Sequence, residues 1–121
     1  MGVANTDDSL TEDEIDIVNL CEHGAFKERI ADCLMMGHRT YVPFRVENVD
    51  HRDLLFEAMR ELEDAWVYMS MLRLRLEHLD GSRATIILLS TAMGTVRLLW
   101  GALHREREES KTLVRILGDK L

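Results

Sequence analysis

DLLFEAMRELEDAWVYMSMLRLRLEHLDGSRATIILLSTAMGTVRLLWGALHR, residues 53–105, decides the fold. Leu55, Ala58, Leu62, Ala65, Met69, Leu72, Leu76 and Leu79 follow one another at steps of three and four. After Asp80, Gly81 and Ser82 the rhythm resumes with Leu89, Ala92, Val96, Leu99 and Leu103. Such spacing puts each set on one stripe of a helix, and the short polar break folds the two helices back on each other. A hairpin of this kind is not a closed body. Its remaining apolar surface needs cover, and that need points to an interaction protein rather than an enzyme.

Outward from the hairpin, the whole chain has the size of one domain, 121 residues. The hydrophobic share of 46% is enough for folding. With 31% charged residues, one proline and few aromatics, helices are favoured over a β-sandwich. The net charge of −7 opposes binding to a phosphate backbone. Residues 1–10 read as a disordered tail, and 11–121 as a single helical domain. The tail is polar and acidic, without the basic-then-apolar pattern of a signal peptide; a cytoplasmic location is expected from two cysteines that read as reduced. Ala84 to Leu103 is the nearest approach to a membrane span, but Arg97 and four hydroxyl residues interrupt it. A buried bundle helix is the simpler reading, and no membrane partner is expected.

An N-terminal helix is expected over 11–36. Thr11 and Glu14 form a capping-box pattern at its start, and Gly24 is placed to bend it or split it in two. Cys21 and Cys33 are then about 18 Å apart if the helix is straight, beyond disulfide reach, and read as reduced, half-buried thiols. The segment 39–47 differs in character. Val42, Phe44 and Val46 alternate with polar neighbours at a strand's period of two. No second strand candidate exists, so the segment pairs with its own copy, adds to a partner's sheet, or lies extended across helices. The hairpin helices are expected over 51–79, with Asp50 as N-cap, and 83–117, with Gly81 and Gly118 as stops. Antiparallel pairing exhausts the first by about residue 107, so Leu113, Val114, Ile116 and Leu117 overhang.

Chemistry-bearing clusters are sparse. Cys21, His23, Cys33 and His38 lack the spacing of a zinc site, since Cys and His two apart on a helix diverge by about 200°. No metal and no cofactor are expected, and both Cys21 and Cys33 should pack while the histidines stay exposed. Glu57, Glu61 and Asp64, interleaved with Arg60, read as a solvated face and not as an acid–base pair. No phosphate-binding loop or nucleophile elbow is present. Arg73, Arg75 and Arg83 lack interleaved aromatics, so direct nucleic-acid binding is not expected. Gly94 and Gly101 lie seven apart on one face of the last helix, at a cost of about 2 kcal/mol relative to alanine, which makes sense where another backbone comes close. An enzyme of the chorismate-mutase-like bundle type is the competing reading. It requires Arg97 and other arginines to converge on a closed polar pocket at a dimer interface.

The stretch from Pro43, Phe44, Arg45 and Val46 through Asp53, Leu54, Leu55 and Ala58 to the Asp80–Ser82 turn resembles a group of small bacterial helical-hairpin proteins, the quorum-sensing antiactivators. That resemblance implies a homodimer that binds the ligand-binding domain of a LuxR-type activator (LasR). The activator's own dimerisation and DNA binding are then blocked by occlusion, with no catalytic residues.

These readings together predict an all-α fold: an antiparallel helical hairpin with an extra N-terminal helix and one short extended segment, forming a four-helix bundle on dimerisation. The expected function is a non-enzymatic inhibitor of a transcriptional activator. Partner binding is expected from Val42, Phe44 and Val46 in the extended segment and from Leu113, Ile116 and Leu117 in the overhang. The dimer interface is expected from Leu55, Leu62, Trp66, Met69, Leu72, Met93, Gly94, Val96, Trp100 and Gly101.

Overall fold

The computed structural model describes residues 9–39, 43–47 and 54–120. Among them every regular element is a helix: α1 (Glu12–Asn19), α2 (Gly24–Gly37), α3 (Leu54–His78) and α4 (Arg83–Lys120). They fall into two units, Met1–Arg52 and Asp53–Leu121. The expected N-cap Asp50 lies outside the described residues.

In the first unit the expected long helix is split. α1 starts at the capping box: the Glu14 N–H donates to Thr11 Oγ1 at 3.1 Å, and the Thr11 N–H donates to Glu14 Oε1 at 2.8 Å. Three acidic residues in the first turn suit the positive end of the helix dipole. The helix closes at Leu20, whose N–H reaches the Asp16 and Ile17 carbonyls. α2 begins at Gly24, and its N-cap His23 supplies no side-chain bond. Of the two ways Gly24 could act, the chain therefore takes the split. Cys21 falls in the break, half-buried, and Cys33 is exposed on α2, so the expectation of two half-buried helical thiols is corrected.

In the second unit α3 and α4 run antiparallel. Their turn shows why sequence at 79–82 stops one helix and starts another. The Gly81 N–H donates to the Leu76 carbonyl at 2.7 Å and the Asp80 N–H to the Glu77 carbonyl at 3.2 Å, which is a Schellman closure. Asp80, not Gly81, takes the left-handed conformation, with φ 56°. Gly81 is needed for space: a Cβ there would sit 2.9 Å from Leu76 Cδ2 and 3.2 Å from the Leu76 carbonyl oxygen. Ser82 then caps α4 by accepting from the Thr85 N–H at 3.3 Å. α4 does not stop at Gly118 but continues to Lys120.

The seam between the helices keeps part of the expected stripe and departs from the rest. Leu55, Met59, Leu62, Ala65, Met69 and Leu76 turn inward on α3, against Ile86, Leu89, Met93, Val96, Trp100 and Leu103 on α4. Ala58, Leu72, Leu79, Ala92 and Leu99 are exposed instead. Both helices carry apolar residues around much of their circumference, so a three–four rhythm can be followed along more than one stripe. Met59 and Met93, at 5% and 9% exposure, are the buried hydrophobic residues of the described chain. A flexible thioether suits a seam filled by two helices alone within this unit.

The turn geometry yields two opposite expectations. Gly81→Ala should destabilise the hairpin by about 1 kcal/mol or more, because Leu76 must move. Asp80→Gly should stabilise it by up to about 1 kcal/mol by relieving the left-handed strain. Urea unfolding followed by circular dichroism distinguishes the two signs.

Candidate functional site

Two places concentrate what this chain could use. The first is a buried polar cluster in the N-terminal unit. Glu14, the N3 residue of α1, is 2% exposed, and His38, just past α2, is 3% exposed. His38 Nε2 lies 2.9 Å from each Glu14 carboxylate oxygen. An ionised carboxylate only accepts, so Nε2 carries the hydrogen. The Phe44 N–H also donates to Glu14 Oε2, at 3.4 Å, and Thr11 Oγ1 donates to the Phe44 carbonyl at 2.6 Å. Further along, the Val46 N–H donates to Asp13 Oδ2 at 2.7 Å. Side chains of α1 and its N-cap thus hold the backbone at Phe44 and Val46. Residues 43–47 lie against α1.

Burial pushes the Glu14 carboxyl up. Hydrogen bonds from Thr11, His38 and Phe44, with the electrostatic attraction of His38, outweigh that effect, and its pKa lies below the ordinary 4.5. Threonine, histidine and glutamate together suggest a catalytic triad only superficially. The Thr11 hydroxyl points to the Phe44 carbonyl rather than to His38, and the buried pair leaves no room for a substrate. The cluster holds backbone in place. His38 is therefore not the exposed histidine that the sequence reading expects. No group of three or more His, Cys, Asp or Glu side chains suited to a metal occurs among the described residues.

The second place is the hairpin's outer surface. Trp66, Val67, Tyr68, Met71, Leu72 and Leu74 of α3 are exposed, as are Ile87, Leu88, Leu98 and Leu99 of α4. The hydroxyls on α4 turn back on their own helix: Ser90 donates to the Ile86 carbonyl, Thr91 to Ile87 and Thr95 to Thr91, at 2.9–3.2 Å. These three hydroxyls are thus satisfied within α4, and Arg97 is the exposed charge of the same stretch. α4 is long and apolar enough to cross a membrane by length and composition, with mean hydropathy 1.6 over 18 residues, of which 6% are buried. The buried bundle helix expected from the sequence is therefore not buried by α3 alone.

A groove of about 280 Å³ opens on this surface, lined by Leu62, Glu63, Trp66, Val67, Val96, Arg97 and Trp100. The Trp100 indole N–H donates to Glu63 Oε2 at 2.7 Å, and its ring stacks on His104 with centroids 5.0 Å apart. Arg97 is exposed on the groove wall and does not enter a closed polar pocket. Gly94 has nothing within 4 Å of where a Cβ would sit, and Gly101 meets only the Arg105 guanidinium at 3.8 Å. The close backbone expected at these glycines is not supplied by α3.

The expected site residues distribute as follows. Val42 lies outside the described residues. Phe44 is half-buried, and Val46 is exposed. Leu113, Ile116 and Leu117 are exposed near the end of α4. The Arg107 guanidinium, 4.7 Å from the centroid of the Phe56 ring, lies near the start of α3, so these three residues lie beyond that level. Of the expected dimer residues, Met93 is buried within the hairpin, and Leu55, Leu62, Met69 and Val96 are half-buried there. Trp66 and Leu72 face out, and Gly94, Trp100 and Gly101 are half-exposed. Glu14, His38 and Asp13 are the functional surprise. The capping box announces Glu14 and Thr11, but nothing local in sequence ties them to His38 or Phe44. No protein-family model, curated protein or solved structure matches the chain.

The Glu14 cluster makes the N-terminal unit acid-sensitive. A carboxyl whose folded pKa is lowered contributes stability that is complete above its unfolded value and is lost as pH falls through the folded value. Protection of the Phe44 and Val46 amides in hydrogen exchange should therefore persist at neutral pH and fall as the pH drops below 4.5. In Glu14→Gln the Phe44 amide should be poorly protected at neutral pH already, with a much weaker acid dependence.

Proposed function

We propose that this chain is a non-enzymatic protein–protein inhibitor that binds a LuxR-type transcriptional activator and blocks its dimerisation and DNA binding. The observation that supports it most is the hairpin surface: large apolar side chains on both outer sides of α3 and α4 remain exposed. Patches of this kind mark interaction surfaces. The extended segment adds to it. Because its backbone is held by Thr11, Glu14 and Asp13, its side chains are displayed at fixed positions, with Val46 open to solvent. A preordered segment loses less entropy on binding than a free one.

The finer part of the reading, an antiactivator of the QslA type acting on LasR, rests on the sequence resemblance alone. A bundle enzyme would gather arginines in a closed polar pocket, whereas Arg97 stands exposed beside an apolar groove. Occlusion needs no chemistry beyond shape and apolar area, which the hairpin has in excess.

Capture of a purified LuxR-type ligand-binding domain by the tagged chain, read as a stoichiometric complex on size exclusion with light scattering, tests the proposal. Phe44→Asp and Val46→Asp should abolish capture while helicity by circular dichroism is unchanged. Val46 is the cleaner probe, since its exposed side chain can be replaced without disturbing packing. Undiminished capture by both variants would remove the extended segment from the binding surface, and failure of the unmodified chain to bind would overturn the assignment.

A further inference from the structure

We propose that the groove at Trp66 and Trp100 binds a small amphipathic carboxylate of the medium-chain fatty acid class. The ligand's hydrocarbon lies along the groove and its carboxylate meets Arg97. The inference goes beyond the inhibitor reading and needs only the hairpin.

Size is the first argument. The groove measures about 280 Å³. That is close to the lower bound of the roughly 300–1,000 Å³ common for small-molecule sites. One turn of a helix, about 10 Å across and about 5.4 Å long, would overfill it. A single hydrocarbon chain fits where a protein element does not. A bilayer fits less well, because Glu57, Glu61, Glu63 and Asp64 on α3 would be carried to the same depth as α4.

The walls are the second. Leu62, Trp66, Val67, Val96 and Trp100 line the groove with aliphatic and indole surface. Trp66 and Val67 are 41% and 45% exposed, so this surface stands open to water. Each methylene laid against it is removed from water in turn. Trp100 is set in advance. Its N–H is anchored on Glu63 Oε2 at 2.7 Å, and His104 stacks on its ring. A wall already fixed loses little freedom when a ligand arrives.

Charge complementarity is the third, and it names the ligand's polar end. Between Arg83 and Arg105, Arg97 is the one residue of α4 with a permanently charged side chain. Its helical neighbours at three and four residues are Met93, Gly94, Trp100 and Gly101, and none is acidic. Among the described residues Arg97 makes no ion pair. Glu63 shares the groove but is bonded to the Trp100 indole, about one turn of α4 from Arg97. The Arg105 guanidinium folds over Gly101, 3.8 Å from where a Cβ would sit, and adds positive charge on that side. Gly94 has nothing within 4 Å of its Cβ position, so the approach is clear. A guanidinium donates two parallel N–H bonds to a carboxylate, and a carboxylate supplies both acceptors.

Isothermal titration calorimetry of the full chain, with sodium octanoate and then with 1-octanol, tests the proposal. Octanoate should bind once per chain with a dissociation constant below about 1 mM. Arg97→Gln should weaken octanoate by roughly tenfold or more and octanol by less than about twofold, since the neutral alcohol makes no charge-assisted bond. Val67→Glu puts a carboxylate on the groove wall and should abolish binding of both. Val67 is exposed and glutamate favours a helix, so circular dichroism should show that variant folded. Leu88→Asp, away from the groove, should change neither affinity. Absence of octanoate binding to the unmodified chain overturns the inference and leaves the groove to a protein. Octanoate binding that ignores Arg97→Gln, or survives Val67→Glu, overturns it as well. The two proposals fail separately: a chain that captures the activator domain but ignores octanoate spares the inhibitor reading, and one that binds octanoate but captures nothing spares this one.

Discussion

Two helices can shield only one stripe of each other. That geometric limit governs everything in the second unit of this chain. α3 and α4 close on Met59 and Met93, and the side chains between them fill a single seam. Both sequences, however, carry apolar residues well beyond one stripe. A third layer is the usual answer in a helical bundle. Here the surplus faces outward, so the composition that builds the hairpin also leaves large apolar side chains exposed.

The first unit solves a different problem by a different means. Its described core holds no large apolar side chain; what it buries is Thr11, Glu14, His38 and Pro43. A carboxylate shielded from water is costly unless its lone pairs are occupied, and this one is met by two backbone N–H groups and an imidazole. Those donors come from three separate pieces of chain. The cost of burial is offset only when all three are in place, which makes the cluster selective for one arrangement of α1, α2 and the extended segment. The same bonds that satisfy Glu14 fix the Phe44 backbone.

Much of the hairpin was legible in residues 53–105. The turn, the helix types, the antiparallel return and the overhang past residue 107 follow from rhythm and from Asp80, Gly81 and Ser82. The seam was legible in part: Leu55, Leu62, Ala65, Met69, Leu76, Leu89, Val96 and Leu103 turn inward as expected, but Leu72 and Leu99 fit a three–four pattern as well as Met59 and Trp100 do. Periodicity fixes a helix's kind; only the neighbour fixes its rotation. The role of Gly81 was legible in outcome and not in cause, since its missing Cβ makes room for Leu76 while Asp80 carries the unusual φ. His38 was beyond reach for another reason. Its partner lies 24 residues away, and a buried histidine bonded to a carboxylate has no local signature.

The placement of Trp100 has a spectroscopic consequence. Both tryptophans of the chain, Trp66 and Trp100, belong to the hairpin, and the N-terminal unit contains none. Indole emission therefore reports on one unit alone. Trp100 adds its own colouring: its N–H is anchored on a carboxylate and its ring lies flat on His104, with planes 8° apart. Stacked imidazole and a fixed negative charge beside the indole both alter its excited state. Light emitted at Trp100 becomes an internal gauge of the environment at the groove, independent of what happens around Glu14.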